Sequence, residues 1–256
     1  TSTAVRIVDE FLPPPTEIVL ELGRLLDNTG LPDVFIGLEQ LPAPAIDLPS
    51  DAEARRIGSL AANSVLRVIA DGCAERASGT AFVVKQGYLV TNAHVVVGAA
   101  QIIVQNSTAS FEATPILVDL DLDVAVLHVG GLTAPALAFA DSEPERGTIG
   151  ATFGYPGGGD ASVEPATVAA TYSATGRDVT GTTRVTRRIV ELRSRVVPGD
   201  SGGPFLLADG TVGGVVFAQS RADPLVGYAL SPVEVAERIG PALNRVSAVD
   251  TGPCRA

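Results

Sequence analysis

Before residue 64 the pattern of hydrophobic and polar positions is helical. A capping box formed by Ser50 and Glu53 predicts a helix from Asp51 to about Ala62. The stretch from Leu41 to Pro49 contains three prolines and is typical of a linker. Upstream of it, apolar residues recur at helical spacing and predict an earlier helix. They are Ile18, Val19, Leu22, Leu25 and Leu26.

After Ser64 the pattern changes to short apolar runs separated by Gly, Asn, Asp and Pro, which predicts strands. A break near Pro135 to Arg146 divides the runs into two series. The predicted strands are Val65–Ala70, Thr80–Val84, Tyr88–Thr91, Ile102–Gln105, Ala113–Asp119, Val124–Val129, Thr148–Gly154, Val163–Ser173, Arg184–Leu192, Phe205–Leu207, Val212–Ala218 and Gly227–Leu230. Ser231 followed by Pro232 then predicts a last helix to about Ile239.

Many short strands at close spacing, with few helices, indicate an antiparallel barrel or sandwich. The 256 residues, 46% of them hydrophobic, are enough for one large domain or two small barrels. Trp and Met are absent and only 5% of residues are aromatic, so the core must consist mainly of Val, Leu, Ile and Ala. Such a composition favours strands.

Composition also excludes several classes of function. The formal net charge of -11 opposes binding to nucleic acid, whose phosphates attract Lys and Arg. With two histidines and no clustered ligands, we expect no metal and no cofactor. No stretch reaches the roughly 18 apolar residues of a spanning helix. Because the chain lacks Met, we expect a fragment or processed form, with any membrane contact made through a segment missing from it.

The segment from Pro198 to Pro204, which reads PGDSGGP, suits a nucleophilic serine. Such a serine needs an exposed Oγ on a tight turn, and neighbouring glycines let backbone N–H groups face a developing oxyanion. Ser201 is therefore the candidate nucleophile, and the N–H groups of Gly199 and Ser201 are the candidate oxyanion donors. The alternative for this segment taken alone is an ordinary glycine-rich loop.

Two histidines could serve as the general base of such a serine. His94 follows the apolar strand that ends at Thr91 and lies in a polar turn, next to the small Ala93. His128 lies inside the run Val124 to Val129, where a packed or solvent-facing strand position is the simpler interpretation. His94 is the better candidate.

Three acids, Asp119, Asp121 and Asp123, alternate just before an apolar run, and they share one face if the strand is continuous. An acid directly followed by a buried strand is the one held most rigidly. Asp123 is therefore the candidate partner of the base, with Asp121 as the alternative. Such an acid fixes the tautomer of the imidazole and stabilises its cationic form.

With these segments in the order His, Asp, Ser, the chain resembles the chymotrypsin-like serine peptidases. The matching segments are TNAH ending at His94, DVAVL beginning at Asp123 and GDSGGP around Ser201. Gly154 to Gly157 resembles the start of the second barrel in HtrA-like bacterial members. An α/β-hydrolase would need a histidine after the serine, and none follows Ser201.

The resemblance implies an all-β fold of two six-stranded antiparallel barrels, with an N-terminal helical extension and a C-terminal helix. It divides the chain into an N-terminal helical extension and linker (1–57), a first barrel (58–140), a second barrel (141–230), and a C-terminal helix and tail (231–256). It also implies endopeptidase activity on a peptide or protein substrate, without nucleic acid. The residues implied as the lining of the substrate pocket are Val196, Val197, Phe217, Ala218 and Gln219. No acid stands at the base of that pocket, so a small or apolar P1 residue is expected.

Asp200 matches the acid that anchors the oxyanion loop in this family. Zymogen members pair that acid with a new N-terminus, whereas bacterial members often use an internal arginine or none. The arginines that could pair with Asp200 are Arg177, Arg184, Arg187 and Arg193.

Cys73 and Cys254 fit no CxxC spacing, and they could form a disulfide or be two buried thiols. Together with the N-terminal helical extension, they make the chain similar to a membrane-anchored, periplasmic branch of these peptidases in mycobacteria. That similarity implies a disulfide, an extracytoplasmic location and a link to acid or oxidative stress. A monomer is expected. The alternative function is a non-catalytic peptide-binding protein that retains the protease fold.

Overall fold

The computed structural model describes residues 46–72 and 75–253. The predicted helix upstream of the linker, most of the linker itself, and Cys73 and Cys254 lie outside the described residues. The helices are α1 (Asp51–Ser59), α2 (Ala93–Val96) and α3 (Pro232–Ile239). The strands are β1 (Val65–Gly72), β2 (Glu75–Lys85), β3 (Tyr88–Thr91), β4 (Ala99–Gln105), β5 (Ser110–Glu112), β6 (Thr114–Asp119), β7 (Val124–His128), β8 (Ile149–Gly154), β9 (Ser162–Arg177), β10 (Arg184–Arg193), β11 (Pro204–Leu207), β12 (Val212–Gln219) and β13 (Val226–Leu230).

The first series of strands forms an antiparallel sheet in the order β5-β4-β1-β2-β3-β7-β6. The sequence predicted six strands here, and the structure has seven. The additional strand, β5, consists of three residues that pair with β4. Its sequence, Ser-Phe-Glu, is too short and too polar to give a strand signal. Strands β5 and β6 form the two edges of this sheet.

The second series forms a closed barrel in the order β10-β13-β12-β11-β8-β9, which is the six-stranded barrel that the family resemblance implied. Strand β9 runs for 16 residues, beyond the predicted end at Ser173, and pairs with β10 over the hairpin that joins them. Residues 130–148, between the two series, contain no regular strand, as predicted from the break in the pattern.

One hydrophobic cluster includes buried residues from both sheets. Phe82 and Val90 of the first sheet belong to it together with Phe153 and Phe217 of the second. Separate clusters fill the first sheet, around Leu89, and the barrel. The two sheets therefore share apolar contacts, and loops from both can meet above them.

Helix α1 begins as predicted, because the Ser50 Oγ accepts a hydrogen bond of 3.2 Å from the Glu53 N–H. The Glu53 carboxylate turns instead to Arg56, at 2.8 Å, so the capping box is only half formed. The helix ends at Ser59, three residues before the predicted end. It packs against β8 and β9, and a Cβ on Gly58 would lie 2.5 Å from a methyl of Val163.

Helix α3 has the predicted bounds, and the Ser231 Oγ caps it by accepting from the Glu234 N–H at 3.1 Å, while the Glu234 carboxylate accepts from the Arg188 N–H. Among residues 46–72 and 75–253, no helix is long and apolar enough to cross a membrane.

The packing of α1 makes it part of the folded domain, and this can be tested at Ile57. Its side chain is fully buried in the shared cluster. We expect Ile57→Ala to lower the free energy of unfolding by about 2–5 kcal/mol, because it leaves a cavity. Leu60→Ala, one turn further on and 51% exposed, is the matched control. Urea unfolding of wild type and both variants measures this difference. Equal midpoints would show that the packing of α1 does not contribute to the free energy of unfolding.

Candidate active site

His94 lies in the short helix α2, directly after strand β3. Asn92 is the N-cap of that helix, and its side-chain amide donates a 2.8 Å hydrogen bond to the Asp123 carbonyl oxygen. Both Asn92 and His94 are buried. The turn that presents the histidine is thereby tied to the turn that presents the acid. His128, in contrast, lies within β7 with its ring 5.1 Å from that of Tyr88, which confirms it as a strand residue.

The three alternating acids do not share one face, because the strand is not continuous. Strand β6 ends at Asp119 and β7 begins at Val124, with a turn between them. The Asp119 carboxylate accepts from the N–H groups of Asp121 and Leu122 and so stabilises the turn. Asp121 is exposed, and Asp123 is 1% exposed. The condition for a common face, a continuous strand, is therefore not met, and the preference for Asp123 over Asp121 agrees with the burial.

Asp123 has a φ of +65°, a conformation that Asp adopts more readily than most residues other than Gly. This conformation turns the chain sharply into β7 and directs the carboxylate to His94. The Asp123 Oδ1 accepts from the His94 backbone N–H at 2.9 Å, and its Oδ2 lies 2.7 Å from the His94 Nδ1. A carboxylate can only accept, so the Nδ1 carries the proton and the Nε2 is the basic nitrogen.

The second barrel and α3 also hold the acid turn. The Arg187 Nε of β10 donates to the Asp121 carbonyl oxygen at 2.6 Å, and the Val179 N–H donates to the Leu120 carbonyl oxygen at 3.1 Å. From α3, the Arg238 Nε contacts the Asp119 carboxylate. Burial lowers the pKa of Arg187, while the carboxylate of Asp123 acts in the opposite direction. An arginine remains cationic here, so it adds positive charge beside the acid.

Ser201 lies in the loop between β10 and β11, against the backbone that leads to His94. Its carbonyl oxygen accepts from the Thr80 N–H at 2.8 Å, and the side chain is almost fully buried. A Cβ on Gly202 would lie 3.0 Å from the Asn92 nitrogen. Within the described part of the chain the Ser201 Oγ makes no hydrogen bond, and catalytic hydrogen bonds often tighten only when substrate binds.

Consecutive peptide groups of this loop are hydrogen-bonded in two alternating ways, either through the carbonyl alone or through both the carbonyl and the N–H. The Pro198 carbonyl accepts from the Gly157 N–H at 2.7 Å, and the Asp200 carbonyl accepts from the Gly203 N–H at 2.9 Å. In the described residues, the N–H groups of Gly199 and Ser201, in the same two peptides, have no acceptor. In a trans peptide N–H and C=O point in opposite directions, so both N–H groups face away from these partners.

The intervening peptide groups are bound at both ends. The Gly199 carbonyl accepts from the Thr80 hydroxyl at 2.8 Å, and the Asp200 N–H donates to the Val197 carbonyl at 3.1 Å. The Gly202 N–H donates to the Val216 carbonyl at 2.8 Å. Every peptide in the loop is therefore fixed, and the two predicted oxyanion donors are the groups left available.

Gly199 and Gly202 are required by this geometry. Their φ angles are +100° and +85°. A Cβ on Gly199 would lie 2.3 Å from the Tyr155 carbonyl oxygen, and one on Gly202 would lie 2.1 Å from the Thr80 carbonyl oxygen. No L side chain fits either position without moving the backbone.

The residues predicted to line the pocket fall into two groups. Val197 and Gln219 are partly exposed, whereas the other three are buried in the core. Val196 packs in the barrel cluster, where a Cβ on Gly227 would lie 2.4 Å from its methyl group. Gln219 pairs with the same Gly227 across β12 and β13. Phe217 lies where a β-bulge interrupts that pairing, with Ala218 after it.

Asp200 is buried and makes one hydrogen bond, accepted by its Oδ2 from the Val197 N–H at 2.9 Å. No arginine or lysine of the described residues forms an ion pair with it. Three of the four proposed arginines have other partners. Arg177 donates to Gly181, Arg187 to Asp121, and Arg193 to the Asp223 carboxylate.

Desolvation raises the pKa of Asp200 to about 6, and the Val197 N–H opposes that shift. Glu164 raises it further, whereas Arg195 lowers it. The loop therefore carries a buried acid without an ion-pair partner among the described residues.

Two contributors to the site, Thr80 and Gly157, were not found from the sequence. The segment from Gly154 to Gly157 indicated only a resemblance to HtrA-like members, and the structure forms a 3-10 helix at Pro156–Gly158. Thr80 was counted as the first residue of a strand. A threonine next to glycine before an apolar run was the available signal, and it is too common to indicate a role.

Residues 79–215 match the family of trypsin-like peptidase domains. The chain is 34% identical over 237 residues to the serine protease Rv3671c of Mycobacterium tuberculosis, covering 91% of this chain and 59% of that protein. It is 33% identical to a probable periplasmic DegP-like serine endoprotease of Halomonas elongata, covering 69% of this chain and 37% of that one. The chain thus spans about six-tenths of the length of the first relative and less of the second.

The fold agrees with crystal structures of the Rv3671c protease. For its active form the TM-score is 0.81 at 32% identity, covering 87% of this chain and all of that one. For an inactive form the TM-score is 0.70 at 33% identity, covering 77% of this chain and 98% of that one.

The raised pKa of Asp200 predicts a pH dependence of stability. Below its ordinary pKa of 3.8, Asp200 is neutral in both the folded and the unfolded chain. Between pH 3.8 and about 6, Asp200 ionises in the unfolded chain while it stays largely protonated in the folded chain. The free energy of unfolding therefore falls as the pH rises through this range. The free energy of unfolding of Asp200→Asn, relative to wild type, should rise by about 2–3 kcal/mol from pH 4 to pH 7.

Urea unfolding of both proteins at intervals between pH 4 and pH 7 provides the measurement. Asp160→Asn, in an exposed position before β9, is the control and should run parallel to wild type. A constant offset between Asp200→Asn and wild type across this range would contradict the prediction.

Proposed function

The chain belongs to the trypsin-like peptidase family, and we therefore propose that it is a serine endopeptidase. In this proposal Ser201 is the nucleophile, His94 is the general base, and Asp123 is the acid that orients the base. The observation that carries the proposal is the oxyanion loop, where the N–H groups of Gly199 and Ser201 are available beside the serine. The two-point contact between Asp123 and His94 supports it.

The reaction assigns one step to each residue. The His94 Nε2 takes the proton of the Ser201 hydroxyl as the Oγ attacks the peptide carbonyl, and then delivers it to the leaving amine. The resulting acyl-enzyme is hydrolysed by water in the reverse sense. Asp123 keeps the proton on the Nδ1 and stabilises the imidazolium. The N–H groups of Gly199 and Ser201 bind the oxyanion of each tetrahedral intermediate.

The substrate pocket is proposed to take a small or apolar P1 side chain, bounded by Val196, Val197, Phe217, Ala218 and Gln219. The absence of an acid at the expected position supports this preference, since the exposed Arg195 stands there instead. The closeness of Val196 and Gln219 to Gly227 supports a shared wall.

We propose an extracytoplasmic, periplasmic location for this domain, on the likeness to the periplasmic DegP-like relative. Anchoring through a segment outside this chain, a monomeric state, and a role in acid or oxidative stress remain predictions from the family resemblance. The conformation is more similar to the active than to the inactive form of the Rv3671c protease, which supports a competent site.

The second candidate is a non-catalytic peptide-binding protein with the same fold. The lack of a hydrogen bond on the Ser201 Oγ in the described residues is the observation that favours it. An activated-serine probe separates the two candidates.

We expect a fluorophosphonate probe to label the wild-type protein, and Ser201→Ala to abolish labelling. His94→Ala should lower kcat for an apolar peptide substrate by about 10⁶-fold, as for other triads. Asp123→Asn should lower it by about 10⁴-fold, since the imidazole then adopts the wrong tautomer.

His128→Ala is the matched control for His94→Ala and should keep wild-type kcat. A peptide with Arg at P1 should be cleaved more slowly than its Ala or Val counterpart. If folded wild-type protein neither reacts with the probe nor cleaves peptides, that result would favour the peptide-binding function over the endopeptidase.

Cys73 and Cys254 are proposed to form a disulfide. The described residues beside both cysteines meet at Ala99, which supports the pairing. Gly72 pairs with Ala99 in the sheet, and the Thr251 Oγ donates to the Ala99 carbonyl oxygen at 3.0 Å. The Gly98 N–H donates to the Thr251 carbonyl oxygen at 3.2 Å. One residue on one side and three on the other lead to the cysteines, a distance the chain can span.

Thiol titration in denaturant should therefore find no free thiol before reduction and two after it. Cys73→Ser and Cys254→Ser should each lower the free energy of unfolding by about 2–4 kcal/mol, and by the same amount as the double variant. Two titratable thiols in protein purified from an oxidising compartment would contradict the pairing.

A further inference from the structure

Thr80 is fully buried, and each of its polar groups contacts the site. Its backbone N–H donates to the Ser201 carbonyl at 2.8 Å, and its hydroxyl donates to the Gly199 carbonyl at the same distance. Its own carbonyl accepts from the Thr91 hydroxyl at 2.7 Å. A residue of the first sheet therefore holds two carbonyls, on either side of Asp200, of a loop that belongs to the second barrel.

The direction of the Thr80 hydroxyl proton is fixed. The hydroxyl oxygen accepts from the Tyr155 N–H at 3.0 Å, so its one proton is left for the Gly199 carbonyl. Both partners are backbone groups of rigid turns. The hydroxyl therefore links the turn at Tyr155 to the oxyanion loop and has no second arrangement that satisfies both.

We propose that Thr80 is the positioning residue of the oxyanion site, whose hydroxyl fixes the Gly199–Asp200 peptide so that the N–H groups of Gly199 and Ser201 point at the developing oxyanion. The inference rests on the proposed function and goes one step beyond it. It assigns to a neutral hydrogen bond the anchoring that an ion pair to Asp200 would otherwise supply.

The bonding of the loop supports this assignment. Three contacts determine the peptides on either side of the Gly199 α-carbon: that of Gly157 with Pro198, that of Thr80 with Gly199, and the longer 3.1 Å bond of the Asp200 N–H to the Val197 carbonyl. With φ at +100°, Gly199 has few other restraints, because glycine has access to both sides of the Ramachandran map. Without the Thr80 hydroxyl the Gly199–Asp200 peptide keeps only the 3.1 Å bond of its N–H to the Val197 carbonyl. It can then tilt, and the Gly199 and Ser201 N–H groups on either side of it lose their common direction.

Thr80→Val replaces the hydroxyl with a methyl group of similar size. We expect kcat for an apolar peptide substrate to fall about 100-fold, the cost of losing one oxyanion donor. KM should change less than about threefold, because the N–H groups act mainly in the transition state. The affinity for a peptide boronic acid, which forms a tetrahedral adduct with the serine, should fall by the same factor as kcat.

Thr80→Ser keeps the hydroxyl and should restore kcat to within about threefold of wild type. Thr167→Val is the matched control, since Thr167 is equally buried and its hydroxyl donates to the Asp47 carbonyl at the same 2.8 Å. It should keep wild-type kcat and boronate affinity. If Thr80→Val does not fold, Thr80→Ala removes the same hydroxyl with less crowding.

Wild-type kcat and boronate affinity in folded Thr80→Val would overturn the proposal, as would a Thr80→Ser variant as slow as Thr80→Val. Hydrogen exchange of the peptide spanning residues 197–203 gives a readout that does not depend on activity. It should accelerate in Thr80→Val and stay unchanged in Thr167→Val. A wild-type protein without activity would overturn the proposed function, and unchanged exchange in Thr80→Val would then overturn the anchoring as well.

Discussion

Two buried backbone N–H groups without an acceptor are the constraint around which the described part of this chain is arranged. Folded proteins pair nearly all such groups, so keeping those of Gly199 and Ser201 available requires that everything around them be fixed. The carbonyls of the same peptides are bound by Gly157 and Gly203, and the peptides between them are bound at both ends. The two positive φ angles follow from this requirement, since only glycine lets the chain turn so closely against its neighbours.

The acid turn must also be held by its surroundings. There the cost comes from a buried negative charge rather than from N–H groups without an acceptor. A carboxylate as buried as that of Asp123 is stable only when hydrogen bonds and opposite charge compensate its lost hydration. His94 supplies two contacts, and the buried Arg187 supplies positive charge from the second barrel. Both halves of the site thus depend on contacts between the sheets: Thr80 reaches the serine loop from the first, and Arg187 reaches the acid turn from the second.

The sequence predicts those parts of the structure that depend on local patterns. Strand β3 and helix α3 have the predicted bounds because apolar runs and capping residues determine them. Strand β5 was missed because three mostly polar residues form it by pairing with β4. The break between the strand that ends at Asp119 and the one that begins at Val124 was predicted, but the positive φ of Asp123 was not, since alternation along a sequence cannot reveal it. The roles of Thr80 and Gly157 depend on contacts between residues about 40 to 120 positions apart along the chain, which no local pattern contains.

Asp200 shows how the loop can be held without its family's usual ion pair. An ion pair would compensate the cost of burying this carboxylate, yet the described residues provide one N–H donor and no ion pair, with Arg195 acting only through its charge. Three of the four arginines that could have paired with it make other contacts, one of them at the acid turn. Placing Arg187 at Asp200 instead of at Asp121 would remove its positive charge from beside Asp123. The arrangement therefore uses Arg187 where a permanent negative charge must be kept and assigns the oxyanion loop to neutral hydrogen bonds, which do not depend on the ionisation of Asp200.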